Sequence, residues 1–182
     1  PCRSATITAA GGDVNHTGAA LQAGGSLRLN AAGSVDNQGG SLVQLGSAAT
    51  RITAAGAIDN TGGTIATNGD SLTVTAGSLA NTQGQIRHAG TGALTVRTAG
   101  DLKNVTGAIA GNGQVNLAGR SIDNTQGTVG GQGAVSVTGE TLTNVQGAIA
   151  GQDAVTVTAA GDIDNRSGMI GGDGDVAVTT QG

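Results

Sequence analysis

Aromatic side chains are absent from this sequence of 182 residues, which contains no Phe, Tyr or Trp. Because aromatic residues dominate most compact cores, their absence argues against a conventional globular enzyme. Proline and cysteine occur once each, at Pro1 and Cys2, which excludes a collagen-like repeat and an internal disulfide bond. The two histidines have no Cys or His partner at a metal-binding spacing, so we expect no metal and no cofactor.

Charge is also scarce, since charged residues make up 11% of the chain and the net charge is −4. A low net charge argues against intrinsic disorder. It gives no electrostatic reason for binding nucleic acid or an anionic membrane surface. Apolar runs are only a few residues long, so the sequence predicts no membrane-spanning helix.

What the sequence does contain is a repeat that is rich in glycine, which supplies 35 residues. The repeating unit reads Gly, x, apolar, x, Asn, x, x, Gly, x, apolar, and good copies occupy residues 56–65 and 161–170. A weaker first copy has His16 at the Asn position. The asparagines of the unit recur at intervals of 20 to 23 residues, at Asn37, Asn60, Asn81, Asn104, Asn124, Asn144 and Asn165.

A segment with alternating apolar and polar residues follows in each unit, for example at residues 72–75, 94–97 and 155–158. This period of two, with many β-branched residues, predicts strands, and no stretch shows the 3.6-residue period of a helix. Of the 36 Ile, Leu and Val residues, 32 fall on one repeating set of inward positions. The four exceptions are Val43, Leu45, Val105 and Val145.

These patterns predict an all-β protein, because one unit cannot bury its own apolar row and must stack on the next. We expect a right-handed parallel β-helix of about eight coils, each of 20–23 residues with three short strands. Residues 1–182 then form one β-helical segment of a much longer chain, in which 1–11 are a partial first coil. The repeated asparagines are expected to stack as a hydrogen-bonded ladder along the rod.

The motif seen at residues 159–165 and in its sister copies resembles the haemagglutinin repeats of filamentous-haemagglutinin-like exoproteins. These are large bacterial proteins exported by two-partner secretion, and they include effectors of contact-dependent growth inhibition. The resemblance covers residues 12–182. It implies an extracellular or cell-surface stalk, export by an outer-membrane transporter and a receptor on a target cell, with no catalysis.

The sequence is compatible with other functions. The segment itself could be a receptor-binding module, and its exposed ends could stack, although we expect a monomer in isolation. A polysaccharide-processing β-helix would use acidic pairs such as Asp36 and Asp59, but no basic or aromatic groove residues accompany them. An ice-binding face would use outward Thr columns, which Arg28 and Arg97 interrupt.

A contact surface is predicted from the irregular features of the repeat. Two of the Asn intervals, 37–60 and 81–104, are 23 residues long, and the extra residues should bulge at a corner. Insertions in solenoids often mark the binding face. The candidate contact residues are the four apolar exceptions, Val43, Leu45, Val105 and Val145. His88 is expected at a turn.

Overall fold

The fold is a stack of coils built entirely from short parallel strands. The computed structural model describes residues 3–181, and this range contains 25 strands and no helix. No helix in this range could therefore span a membrane. The longest of its three sheets, sheet A, contains the alternating segments, β1 (Ala5–Ala9), β4 (Leu27–Ala31), β7 (Thr50–Ala54), β10 (Leu72–Ala76), β13 (Leu94–Thr98), β16 (Val115–Ala118), β19 (Val135–Gly139), β22 (Val155–Ala159) and β25 (Val176–Thr180).

Sheets B and C each contribute one strand to every coil. Sheet B precedes the repeated asparagines and consists of β2 (Val14–Asn15), β5 (Val35–Asp36), β8 (Ala57–Asp59), β11 (Ser78–Ala80), β14 (Leu102–Lys103), β17 (Ser121–Asp123), β20 (Thr141–Thr143) and β23 (Ile163–Asp164). Sheet C follows them and consists of β3 (Ala20–Ala23), β6 (Ser41–Gln44), β9 (Thr64–Thr67), β12 (Gln85–His88), β15 (Ala108–Gly111), β18 (Thr128–Gly131), β21 (Ala148–Gly151) and β24 (Met169–Gly172).

The chain visits the sheets in the order A, B, C eight times, and every strand pairs in parallel with its counterpart in the next coil. Equivalent residues are therefore in register, as Ile86, Ile109 and Val129 are in sheet C. All three side chains are at most 1% exposed. Side chains of this kind from all three sheets form one continuous apolar core along the rod.

This architecture confirms the predicted parallel β-helix and its number of coils, whereas the right-handed winding stays a prediction. The inward positions assigned from the sequence are buried in the middle coils. At the end of the described range, Val176 and Val178 are 45% and 49% exposed, because β25 has a neighbouring strand on one side only. The prediction for His88 was wrong, since it is the buried last residue of β12 and not a turn residue.

Candidate functional site

The most regular feature of the molecule is a column of side-chain amides between sheets B and C. Each asparagine donates a hydrogen bond from Nδ2 to Oδ1 of the next, from Asn37 through to Asn165, over 2.6–2.7 Å. The same Nδ2 groups lie 3.2–3.4 Å from the carbonyl oxygen three residues further along their own turn. The ladder thus ties each coil to the next and closes the turn within each coil.

The glycine three residues after each asparagine is required by this ladder. A Cβ atom at these positions would lie 2.0–2.5 Å from a backbone carbonyl oxygen of the preceding coil. It would also lie 2.5–2.7 Å from the Oδ1 atom of an asparagine. No side chain can be accommodated there, which explains why the repeat keeps Gly40, Gly63, Gly84, Gly107, Gly127, Gly147 and Gly168.

The residue two positions after each asparagine, or after His16 in the first coil, has a positive φ, between 51° and 61°. Glycine occupies this position in three coils, but Gln83, Thr106, Gln126, Gln146 and Ser167 occupy it in the others. The left-handed region is unfavourable for such residues, above all for the β-branched Thr106. The backbone conformation at this position is therefore imposed by the hydrogen bonds of the turn and the ladder. The type of residue at the position does not determine it.

The ladder lacks a donor at its first step. The side-chain Oδ1 of Asn37 is buried and has no hydrogen-bond partner, because the preceding coil has His16 where the others have asparagine. The His16 ring instead contacts the Ser41 carbonyl oxygen over 3.3 Å. A buried acceptor without a donor costs about 1–3 kcal/mol.

We therefore expect His16→Asn to stabilise the protein by about 1 kcal/mol, because the new amide can donate to the Asn37 Oδ1 atom. The free energy of unfolding in urea measures the effect. His16→Ala removes the ring without supplying a donor and should give no gain. Equal stability of the two variants would show that the unpaired Asn37 oxygen has no energetic cost.

The acidic residues next to the ladder form part of the turns. Carboxylate oxygens of Asp36, Asp59 and Asp123 accept hydrogen bonds from the backbone N–H two residues later, over 2.9–3.0 Å. Asp164 does the same and also pairs with the Arg166 guanidinium, which lowers the pKa of this carboxyl. Asp36 and Asp59 are neighbours in sheet B, as a carboxylate pair requires, but each already caps its own turn.

A second, shorter polar column lies inside the rod where sheet C ends. Its members Gln44, Thr67 and His88 are at most 1% exposed, whereas the equivalent positions in later coils are glycines. The Gln44 Nε2 atom lies 2.7–3.0 Å from three backbone carbonyl oxygens, which share its two N–H donors, and Thr67 Oγ1 lies 2.9 Å from His88 Nδ1. The corners that follow these three residues are four or five residues long, at 45–49, 68–71 and 89–93. The equivalent corner is three residues long in the other five coils.

The extra residues of the two 23-residue intervals thus lie partly at these corners, where they make room for the buried polar column. Sequence reasoning missed this column because it looked for side chains common to all coils. The signal was present in the sequence. A polar residue lies two positions after the apolar residue of sheet C in the same three coils that have long corners.

His88 gives this corner a pH dependence. Burial lowers the pKa of His88 below 6.5, and the Asp70 carbonyl group opposes this shift. The unfolded state therefore binds the proton more tightly, so the free energy of unfolding is highest above pH 6.5 and decreases as the pH falls toward the folded-state pKa. Urea unfolding of the parent and His88→Gln between about pH 5 and 7.5 should show a smaller decrease for the variant. Because His16 is present in both proteins, a difference between the two pH profiles is due to His88. Identical profiles would contradict the prediction.

A groove runs along the outer face of sheet C, beginning where the corners become short. It has a volume of about 830 Å³. Arg87, His88 and Ala89 line one end, and Ala108, Ala110, Gly130 and Ala150 are among the small residues that line it. Polar residues of the short corners complete the lining, namely Asn112, Gln132, Gln152 and Asp173. The small lining residues allow a ligand to approach the backbone. The side-chain amides of Asn112, Gln132 and Gln152 repeat once per coil along the groove.

The structure does not bring the predicted contact residues together. Val43 is half-buried on β6, and Leu45, at 50% exposure, begins the long corner that follows. Val105 and Val145 are half-buried in turns between sheets B and C, two coils apart, with Thr125 at the equivalent position between them. None of the four lines the groove. The contact surface built on them stays a prediction.

Comparison with known families agrees with this geometry. The family model of the haemagglutinin repeat matches residues 3–62, 47–105 and 108–182. This chain belongs to the haemagglutinin-repeat family. All seven ladder asparagines fall within the matched regions, and each match spans several of the coils described above. No curated protein and no solved structure matches the haemagglutinin-repeat chain significantly.

Proposed function

We propose that this haemagglutinin-repeat chain is a stalk segment of a large filamentous adhesin, secreted or displayed on a bacterial surface. The group of proteins in question includes effectors of contact-dependent growth inhibition. The observation that carries the proposal is the unbroken ladder from Asn37 to Asn165, within sheets that run the length of the rod. A stalk needs a structure whose length increases with each repeat, and this one adds about 4.8 Å per coil.

The role we propose is mechanical and non-catalytic. Its support is that the carboxylates with the best arrangement for acid–base chemistry serve as hydrogen-bond acceptors in turns. An outer-membrane transporter would export the chain, and a receptor on a neighbouring cell would be bound by the filament. Both partners follow from the family and belong to the proposal.

Duplication of two coils tests the stalk directly. Residues 105–144 contain two intervals of 20 residues, so a second copy inserted after Asn144 preserves the ladder and the register. Small-angle scattering should show a rod longer by about 10 Å with an unchanged cross-section. A wider particle, or a duplicated region that does not fold, would contradict the proposal that reach is gained by repetition.

The groove on sheet C favours a second candidate, in which this segment itself binds a receptor. Ala110 and Ala150 lie on the floor of the groove and face outward. If the groove binds, the labelled chain should show saturable binding to intact bacterial or mammalian cells, and Ala110→Arg/Ala150→Arg should abolish it. Matched arginines at Ser136 and Thr156 on sheet A should leave such binding intact. Absence of saturable binding to all cells tested would exclude this function for those cells.

A further inference from the structure

The charges of this rod are separated by face. The nine strands of sheet A contain three cationic residues and no acidic residue, namely Arg28, Arg51 and Arg97. The eight strands of sheet B contain one cation, Lys103, and four acidic residues, Asp36, Asp59, Asp123 and Asp164. One face is therefore basic and another is acidic, although the net charge of the whole chain is −4.

The two charge patterns coincide along the axis. Arg28 and Arg51 are direct neighbours in sheet A, and the strands that follow them, β5 and β8, place Asp36 beside Asp59 in sheet B. The same two coils thus present a pair of cations on one face and a pair of anions on another. Like charges in register on adjacent strands repel each other, so each pair is stabilised by counter-charges.

No such counter-charge is supplied within the described range. The ion pairs of residues 3–181 are Arg120 with Glu140 and Arg166 with Asp164. The four side chains of the two like-charged pairs, Arg28, Arg51, Asp36 and Asp59, therefore have no ion-pair partner in this range. Arg28 and Arg51 are exposed and flank a depression of about 290 Å³ lined also by Thr6, Ser71 and Thr73. The carboxylates of Asp36 and Asp59 are held in place by backbone N–H donors, which orient them without neutralising their charge.

We propose that these faces bind each other between two copies, so that sheet A of one rod docks on sheet B of a second, parallel rod. With equivalent coils at the same level, Arg28 and Arg51 of the first rod face Asp36 and Asp59 of the second. Because both faces repeat with the same coil spacing, alignment of Arg28 with Asp36 also aligns Arg51 with Asp59, and it brings Arg97 opposite Lys103. A shift of one rod by one coil relative to the other also brings two oppositely charged pairs together, Arg28 with Asp59 and Arg97 with Asp123.

The resulting association is weak, since exposed ion pairs contribute little each and the net charge of both rods is negative. It becomes relevant where rods are held side by side, at effective concentrations on the order of 1 mM. Stalks anchored close together would then form lateral bundles. This inference concerns the sides of the rod and is independent of whether the chain acts as a spacer or as a receptor-binding module.

Small-angle scattering of the 182-residue chain at about 0.1–1 mM tests the proposal. Lateral docking increases the cross-sectional radius of the particle, whereas end-to-end stacking increases its length at constant cross-section. We expect the cross-section to increase with concentration at about 50 mM NaCl and to return to that of one rod at about 500 mM, where ionic interactions are screened. A cross-section that stays constant at low salt over this concentration range would overturn the proposal.

Charge variants identify the faces. Arg28→Gln/Arg51→Gln and Asp36→Asn/Asp59→Asn should each abolish the increase, and the asparagines keep a side-chain oxygen for the turn hydrogen bonds. Matched controls off these faces, Arg3→Gln/Arg87→Gln and Asp173→Asn/Asp175→Asn, should leave it unchanged. Circular dichroism and urea midpoints confirm that each variant is folded. If only the arginine variant abolishes the increase in cross-section, sheet A binds a different anionic surface. If the controls abolish it equally, the association is non-specific electrostatics. Either result refutes the pairing.

Discussion

Ile109→Asp is expected to destabilise the protein by about 5 kcal/mol or more. Ile109 is fully buried between Ile86 and Val129 of the adjacent coils, so its replacement removes apolar contacts on both sides. Loss of a buried Ile side chain alone costs about 2–5 kcal/mol, and an unpaired buried carboxylate adds to this. Because each coil is the template for the next, the effect should extend to the neighbouring coils.

Urea unfolding followed by circular dichroism measures this effect. Ala110→Asp places the same charge on the adjacent outward position of β15 and should change the stability by no more than about 0.5 kcal/mol. If Ile109→Asp fails to fold, Ile109→Ala provides a milder cavity variant with an expected loss of about 2–5 kcal/mol. Equal midpoints for the inward and outward variants would show that Ile109 does not lie in a core.

Gly127→Ala should have the second-largest effect, a loss of about 3 kcal/mol. The added Cβ would lie 2.0 Å from the Asn104 carbonyl oxygen and 2.6 Å from the Asn124 Oδ1 atom. Relief requires movement of backbone, and this movement would break the ladder bond between Asn104 and Asn124. Overpacking of this kind commonly costs about 1–3 kcal/mol, and the lost buried hydrogen bond adds to that cost.

Gly130→Ala is the matched control, three residues further along the same chain. A Cβ atom at Gly130 meets nothing within 4 Å, so no clash arises. The substitution should be neutral or stabilise by up to about 1 kcal/mol, because alanine restricts the unfolded chain. A loss at Gly130 as large as that at Gly127 would attribute the effect to general strand disruption and contradict the specific clash with the ladder.

Much of this fold could be predicted from the sequence because every coil repeats the same local solution. The apolar residue two positions before each asparagine, and the one five positions after, mark sheets B and C in all coils. Alternating segments such as residues 72–75 mark sheet A. Repetition in register turns a weak local pattern into a strong one, since an error in one coil is corrected by its neighbours.

The features that we did not predict from the sequence are those in which coils differ. Gln44, Thr67 and His88 appear as polar residues near corners, and only the stacked structure shows that they point inward together. The groove begins where long corners give way to short ones after β12, a change that no single repeat reveals. Likewise, the separation of Arg28 and Arg51 from Asp36 and Asp59 depends on which sheet each residue joins.

The central claim is that residues far apart in sequence are stacked at equal spacing along one rod. Pulsed electron paramagnetic resonance tests it with pairs of spin labels on outward cysteines in a Cys2→Ser background. Thr6, Thr73 and Thr156 occupy equivalent positions of sheet A, with Thr73 and Thr156 four coils apart and Thr6 and Thr156 seven coils apart. The account predicts separations of about 19 Å and about 34 Å, in proportion to the number of coils. Broad distributions, or separations that do not increase with the number of coils, would contradict it.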